Sequence, residues 1–451
     1  MCIQRCRFVI LILTICLLGS GPKARAQSPA TGDAEELTLE QAIAIAFRDN
    51  RQVKNAQLAI SKAGDELAAT RTLRLPSMNL YALASQQLVK QDASVDNSSS
   101  SLITGVSPFF SIGIPRKPTA IFAGQILQPL SQQHQIGLNI EQAGLARDVE
   151  SEKLRQIKQS TVNQLKQTYY GILQTQSALD SLLEAIRYYR ELDRVMGDNV
   201  AQQVSLKADS LEVKTRLAKA EYEALNLTNQ LATAKEQLNN QLGRDVRTEF
   251  RVAAVPDVNG FDADLAVARS RALEQRPEVR EVRLKVKQAD VDRRIKKSEY
   301  IPEVSLGFTY MSFRNFDQVV PKNSASIGVV VKWEVFDWGR KKNQLAEKGR
   351  AIEQARNALH EAESLVLIEV GDKFRKLQQT RQALVVAQLN QETARENIRV
   401  STNKYKAKAV LFSDVLQTQA TLADADYQYQ QALLAYWTAR ADYEKAIGAD
   451  K

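Results

Sequence analysis

The sequence predicts a mainly α-helical chain carrying a membrane β-barrel segment, in which a helix, a strand hairpin and a long-helix pair occur twice. Three observations predict it. Helix breakers are scarce, short stretches alternate apolar and polar residues with period two, and long proline-free runs repeat their apolar residues every 3.5 positions. The 451 residues include only 19 glycines, 11 prolines and 6% aromatics. That usage excludes collagen-like and linker-dominated architectures.

The N-terminus reads as a secretory signal over residues 1–26. Arg5 and Arg7 precede an apolar run from Phe8 to Leu18, and Ala24-Arg25-Ala26 supplies an A-x-A cleavage site before Gln27. The run is short for a permanent anchor, and nothing later approaches 18 consecutive apolar residues, so no transmembrane helix is expected. Cys2, Cys6 and Cys16 all lie in this segment. The exported chain then has no cysteine, which removes disulfides, thiol catalysis and thiolate metal sites. Cleavage before Cys16 with lipidation is the competing reading, disfavoured by the bulk of Ile15. Lys and Arg number 61 against 52 Asp and Glu. Four of the basic residues leave with the signal, and the small remaining surplus argues against a dedicated nucleic-acid binder. Export leaves the periplasm, the outer membrane or the exterior as destinations.

An internal repeat organises the rest. At an offset of 226 residues Ala42 falls on Ala268, Val53 on Val279, Ala63 on Ala289 and Pro76 on Pro302. At an offset of 205, Asp209 falls on Asp414 and Gly243 on Gly448. Two structural repeats follow, residues 27–243 and 263–451, joined by a connector at 244–262. The change of offset places an insertion in the first repeat after Pro76.

Each repeat opens with a helix, 40–72 and 264–298, ending shortly before a proline. Period-two alternation then takes over. Val304, Leu306, Phe308 and Tyr310 alternate with Ser305, Gly307 and Thr309, and Ile327, Val329, Val331 and Trp333 alternate with small or polar partners, giving strands at about 304–313 and 325–335. Apolar on one side and polar on the other is the pattern of a membrane barrel strand, and also of a half-buried soluble hairpin. In the first repeat, strands are expected at about 77–89 and, more weakly patterned, 119–128. Residues 92–118, rich in Ser, Pro and Gly, read as an exposed loop.

Long helices follow, from about Gln132 to Met196 and Arg340 to Asn403, each close to 100 Å at 1.5 Å per residue. Leu165, Ile172, Leu179 and Ile186 keep heptad spacing, as do Val213, Ala220, Leu227 and Ala234. Val415, Thr418, Leu422, Ala425, Tyr429, Ala432, Tyr436, Ala439, Tyr443 and Ala446 continue it strictly near the C-terminus. Such spacing builds supercoiled pairs with knobs-into-holes packing. The tyrosine stripe is therefore read as a coiled-coil seam rather than an aromatic ligand box.

These residues resemble the TolC-type outer-membrane efflux family. The chain opens with Leu37-Thr-Leu-Glu-Gln-Ala-Ile43, repeats it as Ala272-Leu-Glu-Gln-Arg-Pro277-Glu-Val-Arg280, enters a strand through Ile301-Pro302-Glu-Val-Ser-Leu306, and leaves the last strand through Trp333-Glu-Val-Phe-Asp-Trp-Gly-Arg340. The resemblance implies a homotrimer in which four strands per chain make a 12-stranded outer-membrane β-barrel, continued by a coiled-coil α-barrel in the periplasm. It implies an exit duct serving an inner-membrane pump through a periplasmic adaptor, for tripartite efflux or type I secretion, with no cofactor. Tyr405-Lys-Ala-Lys408 leading to Asp414 matches the family's aromatic, a glycine three residues on and an acid nine on. Asp414 would form an acidic ring at the periplasmic gate, with Gln417 where a second acid often stands and Asp209 as its counterpart, Glu212 lying beyond. Three carboxylates on one axis repel anions and attract cations. The alternative for Asp414 is an exposed acid at a helix N-terminus. Gln203 and Lys408 replace the tip glycine that resembles the adaptor-contact position.

Catalysis finds no motif. His134 and His360 lack metal-ligand spacing, and no H-E-x-x-H, G-x-S-x-G or phosphate-binding glycine loop is present. Acid pairs such as Asp424 and Asp426 read as solvated surface. The rival to the channel is an exported trimeric coiled-coil stalk, which predicts no duplicated strand pairs. A porin would need at least eight strands per chain.

Overall fold

The computed structural model describes residues 35–86, 88, 91–96, 109–114, 118–203, 206–255, 264–315, 321–407 and 409–449. The expected signal peptide with Cys16, and residues 256–263 around the connector, lie outside the described residues.

The chain runs β1 (Glu35–Leu37), α1 (Leu39–Asp49), α2 (Arg51–Thr72), β2 (Ser77–Gln86), β3 (Gln91–Asp96), β4 (Phe109–Ile114), β5 (Pro118–Pro129), α3 (Gln133–Ala201), α4 (Lys207–Leu242) and β6 (Phe250–Val252). It continues with α5 (Leu265–Gln275), α6 (Pro277–Ser298), β7 (Glu303–Arg314), β8 (Asn323–Lys332), α7 (Arg340–Lys406) and α8 (Phe412–Ala446). Two helices, two strands of one sheet and a long-helix pair thus occur in the same order in each half.

Each opening helix, expected to be continuous, is broken in two. Asn50 leaves the helical region at ψ 129°, and its side-chain oxygen accepts from the Gln52 and Val53 N–H groups at 2.8 and 3.1 Å, which restarts the chain as α2. Arg276 does the same with ψ 127°. Here the cause is Pro277 at the first position of α6, whose ring disfavours a helical predecessor.

Residues 92–118, read as an exposed loop, contain a two-stranded antiparallel ribbon, β3 with β4, in register Gln91↔Ile114 to Asp96↔Phe109. The β-prone sequence Phe109-Phe-Ser-Ile-Gly-Ile114 outweighs its Ser- and Gly-rich setting. The weakly patterned strand at 119–128 is a full-length central strand, paired on both edges. Its small residues are what the packing asks for: a β-carbon on Gly124 would stand 3.3 Å from the Leu80 side chain.

The helices pack as two seams. Leu165, Ile172, Leu179 and Ile186 of α3 are buried with Ala220, Leu231 and Leu238 of α4, around Leu37 and Phe250. Val366, Val370 and Leu377 of α7 are buried with Tyr436, Ala439, Tyr443 and Ala446 of α8, together with Ala272 and Val279. Each fully buried large side chain contributes about 1.5–3 kcal/mol. Tyr169 joins α3 to the parallel pair β1 and β6, its hydroxyl lying 3.0 Å from the Leu37 carbonyl and 2.8 Å from that of Ala253. Burial pushes this phenol up to about 12.

Polar contacts tie the two halves. Asp442 of α8 accepts from Asn163 and Gln167 of α3 at 2.9 and 3.0 Å, and Lys373 of α7 lies 3.4 Å from its other oxygen. Lys166 and Glu444 pair at 2.7 Å beside it.

One close contact occurs twice. Gly243 closes α4 at φ 74° and presses on the backbone of Asp49 and Asn50, at the α1–α2 break. Gly448 follows α8 at φ 76° and presses on Gln275 and Arg276, at the α5–α6 break. Both combine a left-handed backbone with no room for a side chain. Gly243→Ala is expected to cost roughly 1–3 kcal/mol from the backbone alone, and more from collision with the Asp49 carbonyl. Gly448→Ala should cost less, since its nearest contact would be 3.0 Å. Denaturant unfolding of the two variants checks the order.

Candidate functional site

The strands build one antiparallel sheet in the order β2-β5-β7-β8. Its two faces differ in chemistry, and the register shows how. Met78, Ile126, Phe308 and Ile327 stand in one row across all four strands, followed by Leu80, Gly124, Tyr310 and Ala325. The opposite face is mixed: one row is Asn79, Gln125, Thr309 and Ser326, and Tyr81, Leu83 and Val330 stand on the same face. Leu80 is 91% exposed and Ile327 74%, so the apolar face is uncovered. The strands are 10 to 12 residues long, the length needed to cross a bilayer with tilt.

The edges are as informative as the faces. Among the described residues β2 pairs only with β5, and β8 only with β7. Both outer strands therefore offer a full row of backbone donors and acceptors to a further strand.

Where the sheet ends, the chain turns into helix through built junctions. After β8, Trp338 and Gly339 adopt φ of 55° and 81°, and Asp337 accepts from the backbone N–H groups of Gly339 and Lys341 at 3.1 and 2.8 Å. The bond from Lys341 holds the Asp337 carboxyl below its ordinary range. Glu334 pairs with Arg340 and Lys341 across the same turn. Among the described residues no helix is long and apolar enough to cross a membrane, which says nothing about the sheet.

The predicted tip residues occupy the two turns remote from the sheet. Gln203 lies in the α3–α4 turn with φ 59°, so it supplies the left-handed backbone that a glycine would supply. Its N–H donates to the Val200 carbonyl at 3.0 Å. Tyr405 lies in the last turn of α7, 43% exposed. Asp414 lies in the first turn of α8 and its carboxylate accepts from the Leu411 N–H at 3.1 Å, the capping role open to any acid there. It is also exposed, as is Gln417 one turn on. Asp209 falls in the first turn of α4 but its side chain is outside the described residues, and so is the whole of Lys408. The two turns differ in charge. Glu212 is bound to Arg216 at 2.6 Å, whereas Asp414 has no ion pair among the described residues.

Reading the sequence missed the interhelical polar contacts. Asp426, taken as solvated surface, accepts from the buried Gln391 of α7 at 2.7 Å, while Asp424 accepts from Gln428 on its own helix. Asp442, not singled out at all, sits at the meeting of α3, α7 and α8. The available signal was that an acid on a heptad seam faces a neighbouring helix. Among the described residues no three His, Cys, Asp or Glu side chains converge as metal ligands.

A four-stranded sheet with an uncovered apolar row thus stands at the end of helices about 100 Å long. Residues 268–449 match the family described as outer membrane efflux protein. A 308-residue stretch is 22% identical to an uncharacterized protein of Haemophilus influenzae, covering 66% of each chain. A 169-residue stretch is 27% identical to the toxin and drug export protein A of Aggregatibacter actinomycetemcomitans, covering 36% of this chain and 34% of that one. Both matches span less than two thirds of the relative. The fold is similar to that of the Campylobacter jejuni CmeC outer membrane channel, with a TM-score of 0.75 and 14% identity over 91% of this chain and 86% of that one. The C-terminal part of the chain is thus similar to the outer membrane efflux proteins, and the fold as a whole is similar to that of solved outer-membrane channels.

The tip backbone yields a prediction. Replacing a side chain held at positive φ with glycine removes strain, so Gln203→Gly should stabilise the α3–α4 turn by roughly 1 kcal/mol. Hydrogen exchange of the amides flanking the turn should slow accordingly, and unchanged or faster exchange would show that Gln203 bears no strain.

Proposed function

We propose that this chain is a passive exit channel, formed when three copies close their four-stranded sheets into a 12-stranded barrel and continue it as a helical duct into the periplasm. The observation that carries the reading is the sheet whose two edges have no strand partner among the described residues and whose apolar rows are uncovered. In hydrocarbon each unsatisfied backbone group costs several kcal/mol, so the sheet cannot enter lipid alone. A second or third copy removes that cost by pairing β8 with β2. The apolar rows then face lipid, and Asn79, Gln125, Thr309 and Ser326 face water inside.

The duplicated frame belongs to the same proposal. The recurrence of element order, and of a positive-φ glycine against each helix break, supports two structural repeats of residues 27–243 and 263–451. Two repeats of two strands each give quasi-sixfold walls from three chains.

Coupling to an inner-membrane pump through a periplasmic adaptor is the finer part of the reading. The α3–α4 and α7–α8 turns are the parts farthest from the membrane, and Gln203, Tyr405 and Lys408 are the residues we propose to meet the adaptor. Asp414, exposed and free of an ion pair among the described residues, is the proposed gate acid, with Gln417 one turn on and Asp209 as its counterpart in the first turn of α4. A cargo of toxins, drugs or other small compounds is consistent with the name of the Aggregatibacter relative; nothing in the chain's own sites selects among them.

The test is current through the purified exported protein in a planar bilayer, with the mass of the detergent-solubilised particle measured on the same sample. Discrete conductance from a particle of three chains is expected; a trimer that never conducts would favour the stalk. The gate is tested separately. Asp414→Asn keeps an acceptor for the Leu411 N–H and removes only the charge, so the fold should persist while cation selectivity and divalent block fall. Unchanged selectivity and block would remove Asp414 from the gate.

A further inference from the structure

The four junctions between sheet and helices hold more positive charge than their structure uses. Over residues 67–76, 129–141, 291–303 and 332–348, Lys and Arg number eleven against seven Asp and Glu. The acids are nearly all engaged locally. Glu299 binds Lys296, Glu303 binds Lys332, Glu334 binds Arg340 and Lys341, and Glu141 binds Arg294. Asp337 is spent on the start of α7, and Asp292 accepts from Gln142.

Five cations are left over. Arg71, Arg74, Arg293, Lys297 and Lys342 are exposed, and none has an ion pair or side-chain hydrogen bond among the described residues. They lie at the ends of α2 and α6 and the start of α7, within two helical turns of the sheet. Exposed aromatics stand at the same level: Trp333, Phe336 and Trp338 after β8, and Tyr300 before β7. Phe336 and Trp338 stack edge to face at 4.8 Å without covering either ring. Aromatic side chains with cations just beyond them, at one end of a membrane-length sheet, match the boundary between acyl chains and headgroups.

We propose that this collar binds the anionic phospholipid headgroups of the leaflet facing the helical duct. The inference rests on the proposed membrane-spanning reading of the sheet. Charge complementarity selects the occupant: a zwitterionic headgroup offers no net attraction to five uncompensated cations, whereas a phosphatidylglycerol-type headgroup does. The aromatic rings fix the depth, and in a closed trimer the collar is repeated three times around the barrel.

Tryptophan fluorescence tests it, because Trp333 and Trp338 are two of the three tryptophans. Trp437, the third, packs between Tyr170 and Tyr436 away from the sheet. The exported protein is reconstituted into equimolar phosphatidylglycerol and phosphatidylcholine vesicles in which one lipid at a time carries brominated chains. Brominated phosphatidylglycerol should quench more strongly, corresponding to about fivefold enrichment at the collar, and the preference should fade in high salt. A variant with all five cations changed to Gln should lose the preference while both lipids still quench. If that variant does not assemble, the pair Lys297→Gln and Lys342→Gln, together with the salt titration, carries the test. Equal quenching by the two lipids in the unaltered protein, or a preference that survives the substitutions, overturns the collar. Absence of quenching by either lipid overturns the membrane-spanning reading itself.

Discussion

The rest of this structure depends on the outer edges of β2 and β8, which have no strand partner among the described residues. A strand edge in water is solvated, but in hydrocarbon no solvent replaces the missing partner. The sheet also exposes Met78, Leu80, Phe308, Ile327 and Val329 on one face, which disfavours leaving it in water. An uncovered apolar face drives the sheet toward lipid, and the open edges forbid it to enter alone. Only assembly satisfies both constraints, which is why the proposed function is a property of several copies rather than of one.

The helices solve a different problem. Each long-helix pair buries an apolar seam, and the exposed faces mix polar residues with apolar ones such as Leu225, Ile368 and Leu389. Alanine facing tyrosine and leucine along α8 lets the pairs approach closely, and positive-φ glycines at 243 and 448 let each pair dock onto a break in the opening helices. Asp442 and Lys166 then cross-link the halves with charge-assisted bonds. Such partly buried polar links are neutral or costly beside apolar packing. Their clearer contribution is to fix register between helices that could otherwise slide by a turn.

How much of this was legible beforehand depends on the range of the interaction. The long helices were readable within a few residues because heptads and missing prolines are local signals, and β7 and β8 because alternation is local. β5 was nearly missed, since a central strand is fixed by its neighbours and its glycine faces Leu80 rather than a core. The ribbon of β3 and β4 was hidden by Ser and Gly, which outvoted Phe109 to Ile114. The break at Pro277 is a proline effect, whereas the break at Asn50 uses a side-chain cap that reads equally well as an ordinary helical polar residue. At the tip, sequence matching located Gln203 and Asp414 without showing that one is held at positive φ and the other already caps α8. Asp442 was invisible because its partners are about 70 and 280 residues away.

The central claim is that β2 of one copy pairs with β8 of another. All three cysteines precede residue 17, so single cysteines placed along β2 and β8 can be scanned without background in the exported protein. Within one sheet these strands are three spacings apart, roughly 14 Å, too far for a disulfide. Oxidation of the paired variants in membranes should give covalent trimers at one register and its neighbours two residues away. Chains that remain monomeric at every register would contradict the account.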